Sequence, residues 1–212
     1  MITPFHERER WAKGLLVIGI DEAGRGALAG PVAAAAVVFP PNVLPDGLDD
    51  SKKLSSKQRA AAAEVVRSMA LAWAVALIHH ERIDEVNILQ ATYDAMHSAI
   101  DDVVAQLGHR SDIELLVDGN RFRPHTLPST TIVGGDGVSP SIAAASILAK
   151  TARDQWMIES DSAFPAYGFA VHKGYGTAIH RAAIRQHGPC AIHRQTFLRS
   201  LFGQPALPLD HA

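Results

Sequence analysis

Two adjacent carboxylates, Asp21 and Glu22, close the apolar run Leu15–Ile20 and lead into the turn Gly24-Arg25-Gly26. Desolvating a charge is costly, so carboxylates at the end of a buried strand call for protons or cations nearby. Two further apolar runs end in the same way, Ile113–Val117 in Asp118 and Thr130–Val133 in Gly134-Gly135-Asp136. If these ends converge on one edge of a sheet, four acids share one cleft. Two bare charges ~4 Å apart repel by about 4 kcal/mol at an effective dielectric of 20. An all-oxygen donor set selects magnesium or manganese over zinc. Such ions lower the pKa of a bound water and stabilise a departing oxygen, which is the apparatus of phosphodiester hydrolysis. The glycines of the turn let another molecule's backbone come close.

Each acid also has a plainer reading. Asp118 precedes Gly119-Asn120 and Asp136 lies in a Gly-Gly-Asp-Gly stretch, both of which are turn patterns. Asp154 follows Lys150 by four residues, a helical ion-pair spacing. Asp21 and Glu22 are the hardest to explain without a cation, because they are adjacent and follow a buried-type strand.

The elements that must hold these residues alternate in type. Leu15–Ile20 reads as a first strand, and Pro31–Phe39 as a second, joined to it as a hairpin. Ser55 and Gln58 form a capping-box pattern that opens a helix to about Met69. Leu71–Ile78 is a third strand. Asn87 and Gln90 cap a long helix to about Leu107. Ile113–Val117 and Thr130–Val133 are the fourth and fifth strands. Ser139-Pro140 starts a helix to about Glu159, and a last helix fits Thr177–His187, stopped by Gly188-Pro189. This order indicates an α/β fold with a mixed sheet.

Composition sets outer bounds. The chain has 212 residues, 47% hydrophobic and 20% charged, which suits one domain with a sizeable core. Its one cysteine, Cys190, builds no disulfide framework, and a reducing, cytoplasmic setting is expected. The N-terminus has no signal-type apolar core, and apolar runs such as Val32–Phe39 are too short to span a bilayer. Net charge is −2, yet Ser162–Leu209 contains no Asp or Glu while holding five Lys or Arg and four His. An acid-free C-terminal region beside an acidic site suits a polyanion held by one part and cut by another. His172 and Lys173 are expected to touch it. Lys52, in a loop before a helix start, suits a phosphate. Trp11, Trp73 and Trp156 read as packing residues.

The ordered motifs make the chain resemble ribonuclease HII, the type 2 ribonucleases H, from near its start to about Phe202. They are Asp21–Gly26 with Gly30-Pro31-Val32; Asp50–Leu54; Asn87–Leu89; Val117–Asn120; Gly135-Asp136; Ser141–Lys150; and His172–Tyr175. The resemblance implies a ribonuclease H-like fold, a five-stranded mixed sheet flanked by helices, over about residues 14–160. It also implies a helical C-terminal extension at about 161–203 and a tail at 204–212, all in one catalytic domain. The expected activity is hydrolysis of the RNA strand of RNA–DNA hybrids and cutting at single ribonucleotides in duplex DNA, leaving 5′-phosphate and 3′-hydroxyl ends. Asp21, Glu22 and Asp118 match the family's metal ligands, for magnesium or manganese, and Asp136 its fourth acid. Gly24, Arg25 and Gly26 match the turn that reads the ribose 2′-hydroxyl. Tyr175 matches the tyrosine that packs on the neighbouring sugar.

The family suggests a monomer, and the extra N-terminal domain of the type 3 enzymes is not expected before the first strand. The loop Arg121–Ser129 is irregular in sequence for the family. Gln204–Leu209 loosely resembles a sliding-clamp docking peptide. Three rivals are weighed. A dinucleotide-binding turn requires a helix after Gly24-x-Gly26, where a strand is expected. A pure nucleic-acid binder would be weakened by four acids. A metal-dependent DNA nuclease or other phosphodiesterase on the same fold is the alternative to be separated by substrate.

Overall fold

The computed structural model describes residues 2–45, 48, 51, 54–108 and 110–199. In chain order its elements are α1 (Phe5–Trp11), β1 (Leu16–Ala23), β2 (Val32–Val38), α2 (Ser56–Met69), β3 (Ala72–Ile78), α3 (His80–Gln106), β4 (Ile113–Asp118), β5 (Ser129–Ile132), a 3-10 turn (Gly135–Gly137), α4 (Pro140–Asp161), α5 (Phe169–His172), α6 (Ala178–His187) and α7 (Gln195–Leu198). Among the described residues, five strands form one mixed sheet in the order β3-β2-β1-β4-β5. The β1–β2 and β2–β3 pairs are antiparallel, and β1–β4 and β4–β5 are parallel.

Helices cover both faces of the central strands, which is why β1 and β2 read as continuous apolar runs rather than alternating ones. Leu16, Ile18 and Ile20 of β1 pack with Leu115 and Val117 of β4 against Met96, Ile100 and Val103 of α3. Ala33, Ala35 and Val37 of β2 face the other way, toward Ala63 and Val66 of α2 and Ala144, Ile147 and Leu148 of α4. Small residues on both sides let α4 come close to the sheet. The closest point is Gly19, where an added Cβ would lie 2.1 Å from the Ser141 carbonyl carbon and 2.5 Å from the Ile142 nitrogen.

Helix starts follow from local hydrogen bonding. The Ser55–Gln58 capping box is formed in both directions. At α4, Ser139 Oγ accepts from Ile142 N (3.3 Å) and donates to Glu7 Oε1 (2.5 Å), and that carboxylate also accepts from Ser141 N (3.1 Å). Glu7 is fully buried, and these bonds tie α1 to the start of α4. Asn87 caps as expected, its Oδ1 accepting from Leu89 N and Gln90 N at 3.0 and 3.1 Å. The helical turns from His80 to Val86 ahead of it were not anticipated. Asn87 itself is non-helical (φ 72°), a break that joins two helical pieces end to end.

After α4 the chain forms a second, smaller core from Met157, Tyr167, Phe169, Ile184, Ile192 and Leu198, which also takes in Ala29 from the β1–β2 connection. Isolated bridges Ala27–Tyr175 and Ala29–His193 tie this C-terminal region to the same connection. No helix among the described residues is long and apolar enough to cross a membrane.

Because backbone on α4 cannot yield to a new methyl group, Gly19→Ala should lower stability by about 1–3 kcal/mol, the usual cost of overpacking. Urea unfolding checks it; an unchanged midpoint would show that α4 rides on the sheet more loosely than these distances state.

Candidate active site

The parallel pairing of β1 with β4 brings the acids together. Ile20 stands opposite Val117, so Asp21 and Asp118 occupy the next step on neighbouring strands, and strand spacing sets their backbones about 5 Å apart. Asp21 is 4% exposed, and it feels the charges of both Glu22 and Asp118. Burial first, then Glu22, then Asp118 hold its carboxyl well above the usual carboxylate range. Two bonds work in the opposite direction: the Ser146 hydroxyl and the Glu22 backbone N–H, the latter at 2.7 Å. Ser146 is itself 2.9 Å from Ser51 Oγ. Ser146 donates its hydroxyl proton to the Asp21 carboxylate as a hydrogen bond, which leaves its oxygen to accept one from the Ser51 hydroxyl.

Asp118 is fixed from the β5 side. Gly135 N donates to its Oδ1 at 2.6 Å. A Cβ at Gly135 would sit 2.5 Å from Ile142 Cδ1 and 3.3 Å from that carboxylate oxygen, so a larger residue there would press on both. The next residue is Asp136, buried in the 3-10 turn, so the fourth acid stands one residue from a group bonded to Asp118. Glu22 points to the α3 side, with Arg25 Nη1 at 3.2 Å from its Oε1. A cleft of about 330 Å³ opens there between Glu22, Arg25, Asp118, Asn120 and Arg121, with Leu89, Tyr93 and Met96 as its apolar floor.

The turn after Glu22 is held from behind by two fully buried arginines. Arg153 donates to Pro31 O (2.9 Å), Lys173 O (3.0 Å) and Ala29 O (3.2 Å). Arg194 donates to Gly30 O (3.0 Å), Arg25 O (2.9 Å) and Pro31 O (3.0 Å). Burial, then the like charge of Arg153, pulls the Arg194 guanidinium down to about 9. Gly24 (φ 94°) is glycine for this reason: a Cβ would meet Arg153 Nε at 1.8 Å. Gly26 differs, since nothing lies within 4 Å of where its Cβ would be, and that side of the turn is open to an approaching molecule. Tyr175 bridges to Ala27, which sets it beside the turn, and its ring has Lys150 Nζ and the Arg153 guanidinium each 5.1 Å from the centroid.

Several expectations change. Lys173 is half-buried, and its amine donates to Ala170 O, folded back onto its own helix end rather than extended to the cleft. His172 is buried and bonded to Tyr167 O and Gly174 N, so it supports the turn and does not face a ligand. The acid-free C-terminal region is only partly a basic surface. Arg194, His180 and His193 are inside, and Arg181 and Arg185 are exposed. Lys52 and the peptide Gln204–Leu209 lie outside the described residues. Asp154 does pair with Lys150 (2.8 Å), and Arg59 Nη2 joins it at 3.1 Å. Ser51, Ser146, Arg153 and Arg194 carry positioning roles that composition alone did not reveal. Ser146 interrupts the small and apolar stretch Ile142–Leu148, which is the one usable signal.

A carboxylate cluster at the ends of parallel strands in a mixed, helix-covered sheet defines a ribonuclease H-like, metal-dependent nuclease. The match to the family model described as Ribonuclease HII runs over residues 18–204, and the chain belongs to the ribonuclease HII family. A Ribonuclease HII from Chlorobaculum parvum is 52% identical over 207 residues, spanning 95% of this chain and 98% of that one. One from Phocaeicola vulgatus is 52% identical over 186 residues, 87% of this chain and 90% of that one. The ribonuclease H2 of Pyrococcus horikoshii shares the fold, with a TM-score of 0.71 at 23% identity over 88% of this chain and 97% of that one. So do the RNase HII of a PCNA complex from Archaeoglobus fulgidus (0.66, 24%, 85% and 93%) and Bst-RNase HIII solved with Mn²⁺ (0.65, 20%, 82% and 63%). Family membership makes the chain a metal-dependent endoribonuclease of the ribonuclease H class.

The carboxylates fit a hard divalent ion. Asp21 is a buried acid pressed by two others, the situation a cation relieves. Among the described residues, no three His, Cys, Asp or Glu side chains are grouped as they stand so as to hold an ion. A carboxyl held above its ordinary range stabilises the fold only below the unfolded carboxylate range, and that contribution is lost as pH rises through its folded value. Without ions at neutral pH, Asp21 is therefore a burden. Asp21→Asn should melt higher than the parent chain in chelator, and Mn²⁺ or Mg²⁺ should raise the parent's melting temperature more than the variant's. Equal melting temperatures with equal ion responses would remove Asp21 from the ion site.

Proposed function

We propose that this chain hydrolyses the RNA strand of RNA–DNA hybrids and cuts at single ribonucleotides embedded in duplex DNA, through magnesium or manganese held by Asp21, Glu22 and Asp118. The observation that carries this reading is the side-by-side position of Asp21 and Asp118 on parallel neighbours, interacting through their charges. Bound there, the ion supplies an activated water and a Lewis acid for the leaving oxygen.

The chain's own residues do the rest. The serine relay aims Asp21, and Gly135 N aims Asp118, so neither carboxylate needs to reorganise during the reaction. Asp136, beside Gly135, is the fourth acid. The Gly24–Gly26 turn, open at Gly26, comes within hydrogen-bonding reach of a ribose 2′-hydroxyl, the one group that separates ribose from deoxyribose at a single position. Tyr175 forms a sugar platform beside it, stiffened by Lys150 and Arg153. The amines of Lys173 and Lys52 are proposed to meet phosphates, Lys173 after leaving Ala170 O. Action in the cytoplasm, as a monomer, completes the reading; the free thiol of Cys190 suits a reducing compartment.

The test is cleavage of three duplexes: a long hybrid, DNA with one embedded ribonucleotide, and all-DNA. Cutting of the first two, its loss in chelator, and no cutting of the third are expected. Asp118→Asn should reduce cleavage by at least about 10³-fold while hybrid binding stays intact or tightens, since a negative charge near phosphate is gone. Equal cutting of all-DNA duplex would favour a general phosphodiesterase.

We also propose that Gln204–Leu209 docks a sliding clamp, a reading supported by the Archaeoglobus fulgidus RNase HII solved with PCNA. Chains ending at Gly203 should elute earlier from immobilised clamp. Identical elution of the two forms discards the docking peptide.

A further inference from the structure

Behind Tyr175 lies a group of buried side chains that the hydrolysis does not use. His180 and His193 are fully buried, and His172 and Cys190 stand against them. The heavy-atom geometry assigns their protons. The Cys190 backbone N–H can only donate, and it reaches His193 Nδ1 at 2.9 Å. The Cys190 carbonyl is also near that nitrogen, at 3.3 Å, but the shorter contact from an obligate donor decides. Neutral His193 thus carries its proton on Nε2. That nitrogen is 3.1 Å from His180 Nε2, which must accept. The proton of His180 then sits on Nδ1, 3.0 Å from the Tyr175 carbonyl oxygen, which can only accept. Each bond fixes the tautomer of the next, and the chain ends on the backbone of Tyr175.

The turn at the end of this chain needs external support. Lys173 (φ 53°) and Gly174 (φ 78°) are both left-handed, and for lysine that is a strained conformation. His172 grips the same turn from its other side. Its Nδ1 accepts from Gly174 N at 3.2 Å, its Nε2 donates to Tyr167 O at 2.7 Å, and its ring stacks on His180 at 4.3 Å. Burial pushes His180 and His193 down to about 4, so both are neutral at pH 7, as the relay requires.

We infer that His180 and His193 are positioning residues for sugar discrimination: their hydrogen-bonded relay holds the Tyr175 backbone so that its ring meets the sugar next to the ribonucleotide. This rests on the proposed role of Tyr175. An inert histidine core is the competing account, and it differs in what a substitution does to substrate preference. With the relay cut, Tyr175 loses one backbone anchor while the carboxylate end of the sheet keeps its own supports.

The experiment measures cleavage of the single-ribonucleotide duplex relative to the long hybrid in the full chain, Tyr175→Ala, His180→Phe, and the double variant. Phenylalanine keeps a flat ring against His172 and removes both hydrogen bonds. His180→Phe should lower the ratio about three- to tenfold, the range of one neutral hydrogen bond. In the Tyr175→Ala background it should lower the ratio no further. Equal losses on both substrates, or independent effects in the double variant, overturn the relay as a selectivity device. If Tyr175→Ala leaves the ratio unchanged, the tyrosine reading itself falls and the relay has no target. Nitrogen-15 shifts of the unsubstituted chain give a reading that needs no variant to fold: protonation at His180 Nδ1 and His193 Nε2 is expected, and the opposite tautomers overturn the relay.

Discussion

Keeping Asp21 buried beside two other carboxylates is the demand that the surrounding structure answers. A charge in that position gains by turning toward water, and a pliable scaffold would let it. The backbone here cannot yield. β1 is hydrogen-bonded on both edges, to β2 and β4, and packed on both faces. Two residues before Asp21, α4 backbone rests directly on Gly19. The same helix then supplies Ser146 to the carboxylate. One close helix–strand contact therefore sets both the depth of the acid and the donor that aims it. Under the proposed ion site, that unfavourable charge density is what a hard cation would relieve.

The turn that follows is a different physical problem, because it is irregular backbone close to a site that must keep its shape. Carbonyl groups of such a turn must find donors. Arg153 and Arg194 meet this need with six bonds from two planar forks, a geometry that lysine cannot reproduce. Two guanidiniums side by side repel, which adds to the depression at Arg194. That cost is offset by three charge-assisted bonds from each guanidinium. Pro31 O accepts from both arginines, so the two act as one clamp on the start of β2.

The caps at Ser55, Asn87 and Ser139 and the mixed sheet were legible because each has a local signal within a few residues, whereas β1 was expected to end at Ile20 and runs on through Asp21 and Glu22 to Ala23, paired there with β2. The acids were legible because a carboxylate after a buried run has few uses. What failed was orientation. The C-terminal Arg194, His180 and His193 read as a basic surface, since nothing local separates an exposed arginine from one that satisfies carbonyls 163 to 169 positions away. Gly24 was read as leaving room for a ligand, when the room is filled by Arg153; that reading applies to Gly26. Helical turns before Asn87 were hidden because their cap, His79, makes no side-chain hydrogen bond.

These supports divide the molecule by function. The carboxylates hang on the sheet and on α4, in the largest cores. The side of the turn proposed to meet the sugar rests on the small C-terminal core, joined to it by polar bonds, two isolated bridges and the burial of Ala29. Regions with few apolar contacts open at lower free energy than the main core. An opening of the C-terminal segment would release the Arg194 bonds, the Ala29–His193 bridge and the Tyr175 anchor together, because all three depend on the same few residues. Asp21, Asp118 and Ser146 would stay in register, held by the β1–β4 pairing, the Glu22 and Gly135 backbone N–H groups and the Ser51 hydroxyl. Under the proposed roles, rate and sugar selectivity rest on parts of unequal stability, and conditions that loosen the protein should erode selectivity before they abolish hydrolysis.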